Sequence, residues 1–299
     1  MCSRPLSLST FLLLAFTGAA PFLRAIPSVR ATFAGSGDLR LESAGQTFSA
    51  MRSEEMELST HCEGLKIGSA SLGIGIVLQR IDFNQGGKPW SLPLPKRFQS
   101  AGLDLTFTDQ LAPGWHGMVQ ISPSWRTAGG SRLVAKSFGA TASMLAIREF
   151  SRGLRLAIGA SADTLAAGDS RILPVAGVDW EFASKWRVSL GLPRTGVFFN
   201  PVNTLELGLA VTGTWATYYV AASGPAEILS VDASLTETKL EYSEARTGLQ
   251  AKWRANAHFE LSATIGVVGH REFDYPDRKR KLKSDGTGGY ASVELGFTF

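Results

Sequence analysis

The feature that most constrains this chain is a two-residue hydrophobic period held over runs of about ten residues, the signature of strands with one apolar face. Leu154, Leu156, Ile158, Ala160 and Ala162 alternate with Arg155, Ala157, Gly159 and Ser161. Leu205, Leu207, Leu209 and Val211 alternate with Glu206, Gly208, Ala210 and Thr212. Ala257, Phe259, Leu261, Ala263, Ile265 and Val267 alternate mainly with His258, Glu260, Ser262, Thr264 and Gly266. A tilted strand needs roughly 9–11 residues to cross a bilayer, whereas strands of soluble domains are shorter. No segment holds the run of about 18 apolar residues that a spanning helix requires. The 32 glycines also disfavour helices, since each interior glycine weakens one.

Twelve such segments are predicted: 65–79, 101–108, 115–126, 138–150, 153–163, 174–183, 185–192, 203–212, 214–222, 240–254, 257–270 and 289–299. Their connections alternate in length. The short ones are 109–114, Ser151-Arg152, Ser184, Gly213 and Ala255-Asn256. The long ones are 80–100, 127–137, 164–173, 193–202, 223–239 and 271–288. Short periplasmic turns and long external loops are the habit of outer-membrane barrels. The expected fold is therefore an all-β, antiparallel, up-and-down transmembrane β-barrel of about twelve strands, within a range of roughly ten to fourteen.

The first 25 residues read as a cleaved export signal, with Arg4, the mostly apolar stretch Leu6 to Phe16, and small residues that offer cleavage after Ala20 or Ala25. Residues 26–64 fit the strand pattern poorly and are expected to form a periplasmic tail or a plug, with a further strand pair as the alternative. Residues 65–299 would be the barrel. Without the signal the only cysteine left is Cys62, so neither an internal disulfide nor a thiolate metal cluster is expected. Losing Arg4 and Arg24 lowers the formal charge from +4 to about +2, too little to imply a nucleic-acid partner.

The aromatics sort by position. Phe107, Trp115, Phe150, Phe182, Trp186, Trp215, Trp253 and Phe259 all fall near the predicted short turns, on the apolar faces, as an interfacial girdle would. Arg148 shares that face near a turn, where it can snorkel to the headgroups. The last segment places Ala291, Val293, Leu295, Phe297 and Phe299 on one face, with Tyr290 further back. This resembles the C-terminal signal of outer-membrane proteins, and the resemblance implies recognition by the barrel-assembly machinery through Tyr290, Val293, Leu295, Phe297 and Phe299. Trp186-Arg-Val-Ser-Leu-Gly-Leu-Pro193 and the stretch Asn203 to Val220 resemble a family of outer-membrane barrels with no assigned function. That resemblance implies no catalytic motif.

The opposite faces carry the candidate lumen residues Arg126, Arg155, Asp179, Glu181, Arg187, Glu206, Lys252, Glu260 and Glu294, of mixed sign. Walls of this kind tune ion or solute passage, or close the lumen by ion pairing. No zinc-protease, CxxC, Walker or nucleophile-elbow motif is present, and no cofactor or metal is expected. On His258 and Ser262, and on His116 with Ser122 or Ser124, strand spacing separates the partners too far for a hydrolytic pair. The expected function is a narrow channel or structural barrel of the Gram-negative outer membrane, with no enzymatic activity. The alternatives are an outer-membrane lipid-modifying enzyme and a secreted or periplasmic lipocalin-like binder. Outer-membrane lipids are the expected partners, including lipopolysaccharide phosphates at the basic run Arg278 to Lys283.

Overall fold

The computed structural model describes residues 26–88, 90–130, 134–150, 153–167, 171–191, 194–221 and 233–299. The expected export signal and the Ser151-Arg152 connection lie outside them. The strands are β1 (Ile26–Ser43), β2 (Gln46–Ile67), β3 (Ala70–Asn84), β4 (Arg97–Ala112), β5 (Trp115–Ala128), β6 (Phe138–Phe150), β7 (Leu154–Asp163), β8 (Ile172–Ala183), β9 (Trp186–Gly191), β10 (Arg194–Val202), β11 (Leu205–Val220), β12 (Thr238–Arg254), β13 (Phe259–Tyr275), β14 (Arg280–Asp285) and β15 (Gly288–Thr298).

Apart from β14 and β15, each strand pairs antiparallel with its sequence neighbours, and β1 closes the sheet onto β15 through the register Ser28↔Thr298 to Ser36↔Tyr290. β14 and β15 are one wall strand broken at Gly286, whose φ is +92°. Above the break β14 lies between β13 and β1, and below it β15 lies between the same two strands. The wall therefore has fourteen strands, two more than the central expectation.

The difference has three physical sources. Residues 26–64 are not a tail: they form β1 and most of β2, paired from Ile26↔Glu63 to Ser43↔Gln46. Their charged run hid the alternation because Glu55 and Glu57 face a polar lumen, where a charge is at home. Within the expected loop 193–202, residues 194–202 form a strand, β10. Gly196, Asn200 and Pro201 read as turn residues, yet β10 is satisfied on both sides by β9 and β11. Gly213 is not a turn either: β11 runs through it, opposite Ala245 of β12. The segment 65–79 likewise straddles the turn at Gly68-Ser69 between β2 and β3.

The apolar faces point outward. Met144, Ile158, Leu209, Leu249, Ile265 and Val293 are all exposed, and Ile265 reaches 68%. A contiguous exposed belt of this size is satisfied by hydrocarbon, not water. It is the reverse of a lipocalin, whose apolar face lines the interior, so the soluble-binder alternative is overturned.

Wall height is uneven. β2 has 22 residues and β9 has six. Above the low wall of β6–β10, the tall strands bend together, and β11 pairs in parallel with β5 at Tyr219↔Thr127 and Val220↔Ala128. The upper ends of β1–β5 and β11–β14 thereby close into a narrower dome. Its interior is apolar, packed with Leu41, Met51, Ile81, Phe83, Leu94, Phe98, Tyr242 and Phe273 among others. Phe83 and Phe98 meet edge-on at 5.0 Å, and Phe83 meets Phe273 at 5.6 Å. Such aromatic pairs add about 0.5–1.5 kcal/mol each beyond area burial. Trp90 of the loop after β3 packs on this core and donates its indole N–H to Leu94 O at 2.8 Å.

Candidate functional site: a charged lumen beneath an apolar dome

Below the dome the inward faces become polar, and the change occurs across one layer of side chains. Glu55 of β2 accepts Arg246 Nη2 of β12 at 2.7 Å. Glu244 of β12 is ion-paired with both Arg246 and Arg271 of β13. Arg271 Nη2 donates to Ser36 Oγ at 3.0 Å and to Ser53 Oγ at 2.9 Å. The Tyr242 hydroxyl donates to Glu244 at 2.8 Å, and Gln79 Nε2 donates to Glu55 at 2.8 Å. The Tyr218 hydroxyl of β11 reaches Gln79 of β3 at 3.3 Å. Glu244 and Arg271 are fully buried, so they depend on one another: an ion pair removed from water persists only when it is also well hydrogen-bonded. This layer links β1, β2, β3, β11, β12 and β13 across the lumen. With the apolar core above it, it closes the axial route.

The lower lumen is lined by separate ion pairs. Arg187 of β9 bridges Asp179 at 2.8 Å and Glu206 at 2.9 Å. Lys252 meets Glu260 at 2.7 Å, Arg30 meets Glu294 at 3.0 Å, and Arg155 meets Glu149 at 3.0 Å. Higher up, near the ends of their strands, Arg126 of β5 makes a bidentate pair with Asp163 of β7 at 2.7 and 2.6 Å, passing over β6. Of the nine sequence-nominated lumen residues, eight take part in these ion pairs, and Glu181 lies beside Gly153. The sequence reading missed Glu55, Glu244, Arg246 and Arg271, the residues that make the closing layer. It also missed Phe198, an aromatic on the inner face, buried with Arg187 and Arg194 stacked on it at 4.5 and 4.2 Å. Only their shared parity with lower polar positions could have marked them.

On the outside, Phe182, Trp186 and Phe199 touch in series at 6.4 and 4.7 Å. Trp253, Phe259 and Phe297 do so at 6.4 and 5.0 Å. Trp115 and Phe150 sit beside the same lower rim, with the Arg148 guanidinium over both rings at 5.1 and 4.9 Å. Trp215 does not belong to that row. Because β11 is continuous, Trp215 lies far above the turn at Asn203-Thr204, near the opposite rim. An upper aromatic pair, Trp125 and Phe138, stands at 4.9 Å on the neighbouring wall.

The basic run Arg278 to Lys283 forms the tip and return strand of the β13–β14 hairpin. Lys281 pairs with Asp274 at 2.8 Å and Glu272 at 2.9 Å, and these carboxylates hold its ammonium well above the ordinary lysine range. Lys283 pairs with Glu272 at 3.5 Å. The His61 ring lies against β3, where a Cβ on Gly73 or Gly75 would come within 2.8 Å of it. Its Nε2 is 3.3 Å from Glu63. Among the described residues no serine hydroxyl bonds an imidazole, Ser122 instead donating to Asp104. No group of three or more metal-ligating side chains converges among those residues.

Several solved structures resemble this fold. A COG4313 outer membrane channel from Pseudomonas putida F1 matches with 9% identity over 95% of this chain and all of its own (100%), at a TM-score of 0.49. The P. putida toluene transporter TodX matches with 9% identity over 92% and 90%, at 0.46. The translocator domain of the autotransporter NalP from Neisseria meningitidis matches with 10% identity over 97% and 94%, at 0.40. No curated protein sequence matches the chain. A family model described as a domain of unknown function (DUF6268) covers residues 52–284, and the chain belongs to that family.

Proposed function

We propose that the protein is a channel of the Gram-negative outer membrane for small polar solutes. One observation carries this reading: the lower inner face of a fourteen-strand wall is lined by charged side chains of both signs, not by an apolar core. Eight strands enclose only enough room for side chains, and sixteen to eighteen leave a wide aqueous pore. Fourteen strands carrying paired charges suit a narrow passage whose walls select by charge. The apolar outer belt and lower aromatic row support a membrane location. The outward face of β15, with Val293, Leu295 and Phe297, would serve the assembly machinery. Lipopolysaccharide phosphates would meet the hairpin tip around Arg278 and Lys279.

The experiment is planar-bilayer recording of folded protein purified from outer membranes, identified by its faster migration on a denaturing gel before boiling. Discrete conductance steps well below those of general porins are expected. Silent bilayers from demonstrably inserted, heat-modifiable protein would sink the channel reading and leave a structural barrel.

A further inference from the structure

The closed axial route raises the question of where a solute would leave. Beside the dome is a cavity of about 270 Å³ whose two walls have different origins. One wall is the lumen face of the low strands: Thr141 of β6, Ser161 of β7 and Leu173 of β8. The other is the outer face of the dome: Thr217 of β11, Glu241 of β12 and Asp274 of β13. The same faces of β6–β8 that line the lumen below thus continue upward past the dome. Next to this cavity the wall is notched. β11 follows β10 only to Thr212 and meets β5 only at Tyr219, so among the described residues 213–218 have no strand on that side. β8 likewise meets β9 only from Gly177, so among the described residues 172–176 have no strand partner there.

We propose that the lumen opens sideways through this chamber, between the dome and the low wall, and that the chamber is the passage for small cations. The proposal rests on the channel reading above. Four carboxylates line the chamber, those of Asp163, Glu241, Glu272 and Asp274; Arg126 on the lining pairs with Asp163, Lys281 of β14 pairs with Glu272 and Asp274, and Lys283 of β14 pairs with Glu272. A strap over the chamber, residues 164–167, is tied at both ends. Leu165 N donates to Asp163 at 2.9 Å, and Ala167 N donates to Glu241 at 2.9 Å. Leu165 and Ala166 of the strap are themselves buried. Both walls present polar groups, Thr141, Ser161 and Asp163 on one and Thr217, Glu241 and Asp274 on the other, and the proposed passage runs between them to the outer aqueous surface.

The test uses the full chain in planar bilayers. Ser161→Trp fills the chamber from the lumen side. Thr141→Cys, in a Cys62→Ser background, allows a bulky thiosulfonate to be attached after folding, so a folding defect cannot mimic block. Heat modifiability confirms that each variant is a folded barrel. A several-fold fall in conductance in Ser161→Trp, and in Thr141→Cys only after reagent, supports the side passage. Glu241→Lys should move the permeability ratio from potassium towards chloride. Wild-type conductance that none of these changes would overturn the side passage while leaving the channel reading intact. A silent wild type would remove the channel reading itself.

Discussion

Glu55 and Arg246 meet at 2.7 Å although three wall strands, β1, β15 and β13, separate β2 from β12 around the circumference. The contact therefore crosses the lumen. Both side chains are largely shielded, 12% and 15% exposed, so water contributes little to their solvation.

Arg246→Met leaves Glu244 paired with Arg271 alone and takes from Glu55 its ion-pair partner. Removing one partner of a buried pair costs about 3–5 kcal/mol. The expected outcome is a large drop in the urea midpoint for unfolding in detergent. Arg246→Met with Glu55→Gln should recover part of the loss, because it removes the orphaned charge as well. Equal stability of the single and double variants would show that the pair does not bear on the fold.

The register makes opposite predictions for adjacent residues. Ile265 faces out at the middle of the β13 belt, and Thr264 faces the lumen. Ile265→Arg should cost about 2–4 kcal/mol in lipid, the scale for a cation at the midplane of a barrel. Thr264→Arg places the same charge in a polar lumen and should be far milder. Reversible unfolding in vesicles compares the two, and similar costs would mean the faces are assigned the wrong way round.

Deleting residues 26–43 removes β1, which joins β15 on one side and β2 on the other. Two edges would then stand unpaired inside hydrocarbon, where each unsatisfied backbone group costs several kcal/mol. No heat-modifiable band should form. A periplasmic tail would have been dispensable, so normal folding of the truncated chain would overturn the fourteen-strand wall.

Gly159 on the inner face of β7 lies so close to β6 that a Cβ would fall 1.9 Å from Met144 O. The contact is with backbone, so no side-chain rotation relieves it. Gly159→Val should cost about 1–3 kcal/mol, the range for overpacking, measured by the same detergent unfolding. Gly289→Ala, with open space around its Cβ, is the matched control and should change stability little.

The strand pattern was legible because a membrane barrel imposes one rule at every position: apolar towards lipid, polar or small towards the lumen. Leu154 to Ala162 and Phe259 to Val267 obey it without exception. It failed where the surroundings differ. In β12, Leu240 and Tyr242 face inward as Lys252 does, but they face the dome core and not the lumen. The inward face of a single strand thus turns from polar to apolar partway along. In sequence that change looks like a shift of register or the start of a loop. Glu55 and Glu57 misled in the opposite sense, since a charged run suggests a solvated tail until a partner such as Arg246 is in view.

The sequence by itself determined the secondary structure class, the outward direction of the apolar faces and the placement of most aromatics at the lower rim. These depend on neighbours two residues away and on the surrounding lipid, both of which a linear pattern encodes. Tertiary structure alone decided the closure of β1 on β15, the parallel meeting of β5 and β11, the sealed dome and the chamber beside it. These depend on uneven strand lengths and on contacts such as Arg246 with Glu55 or Arg126 with Asp163. Their partners lie far apart along the chain and come within bonding distance only when the wall curves round on itself.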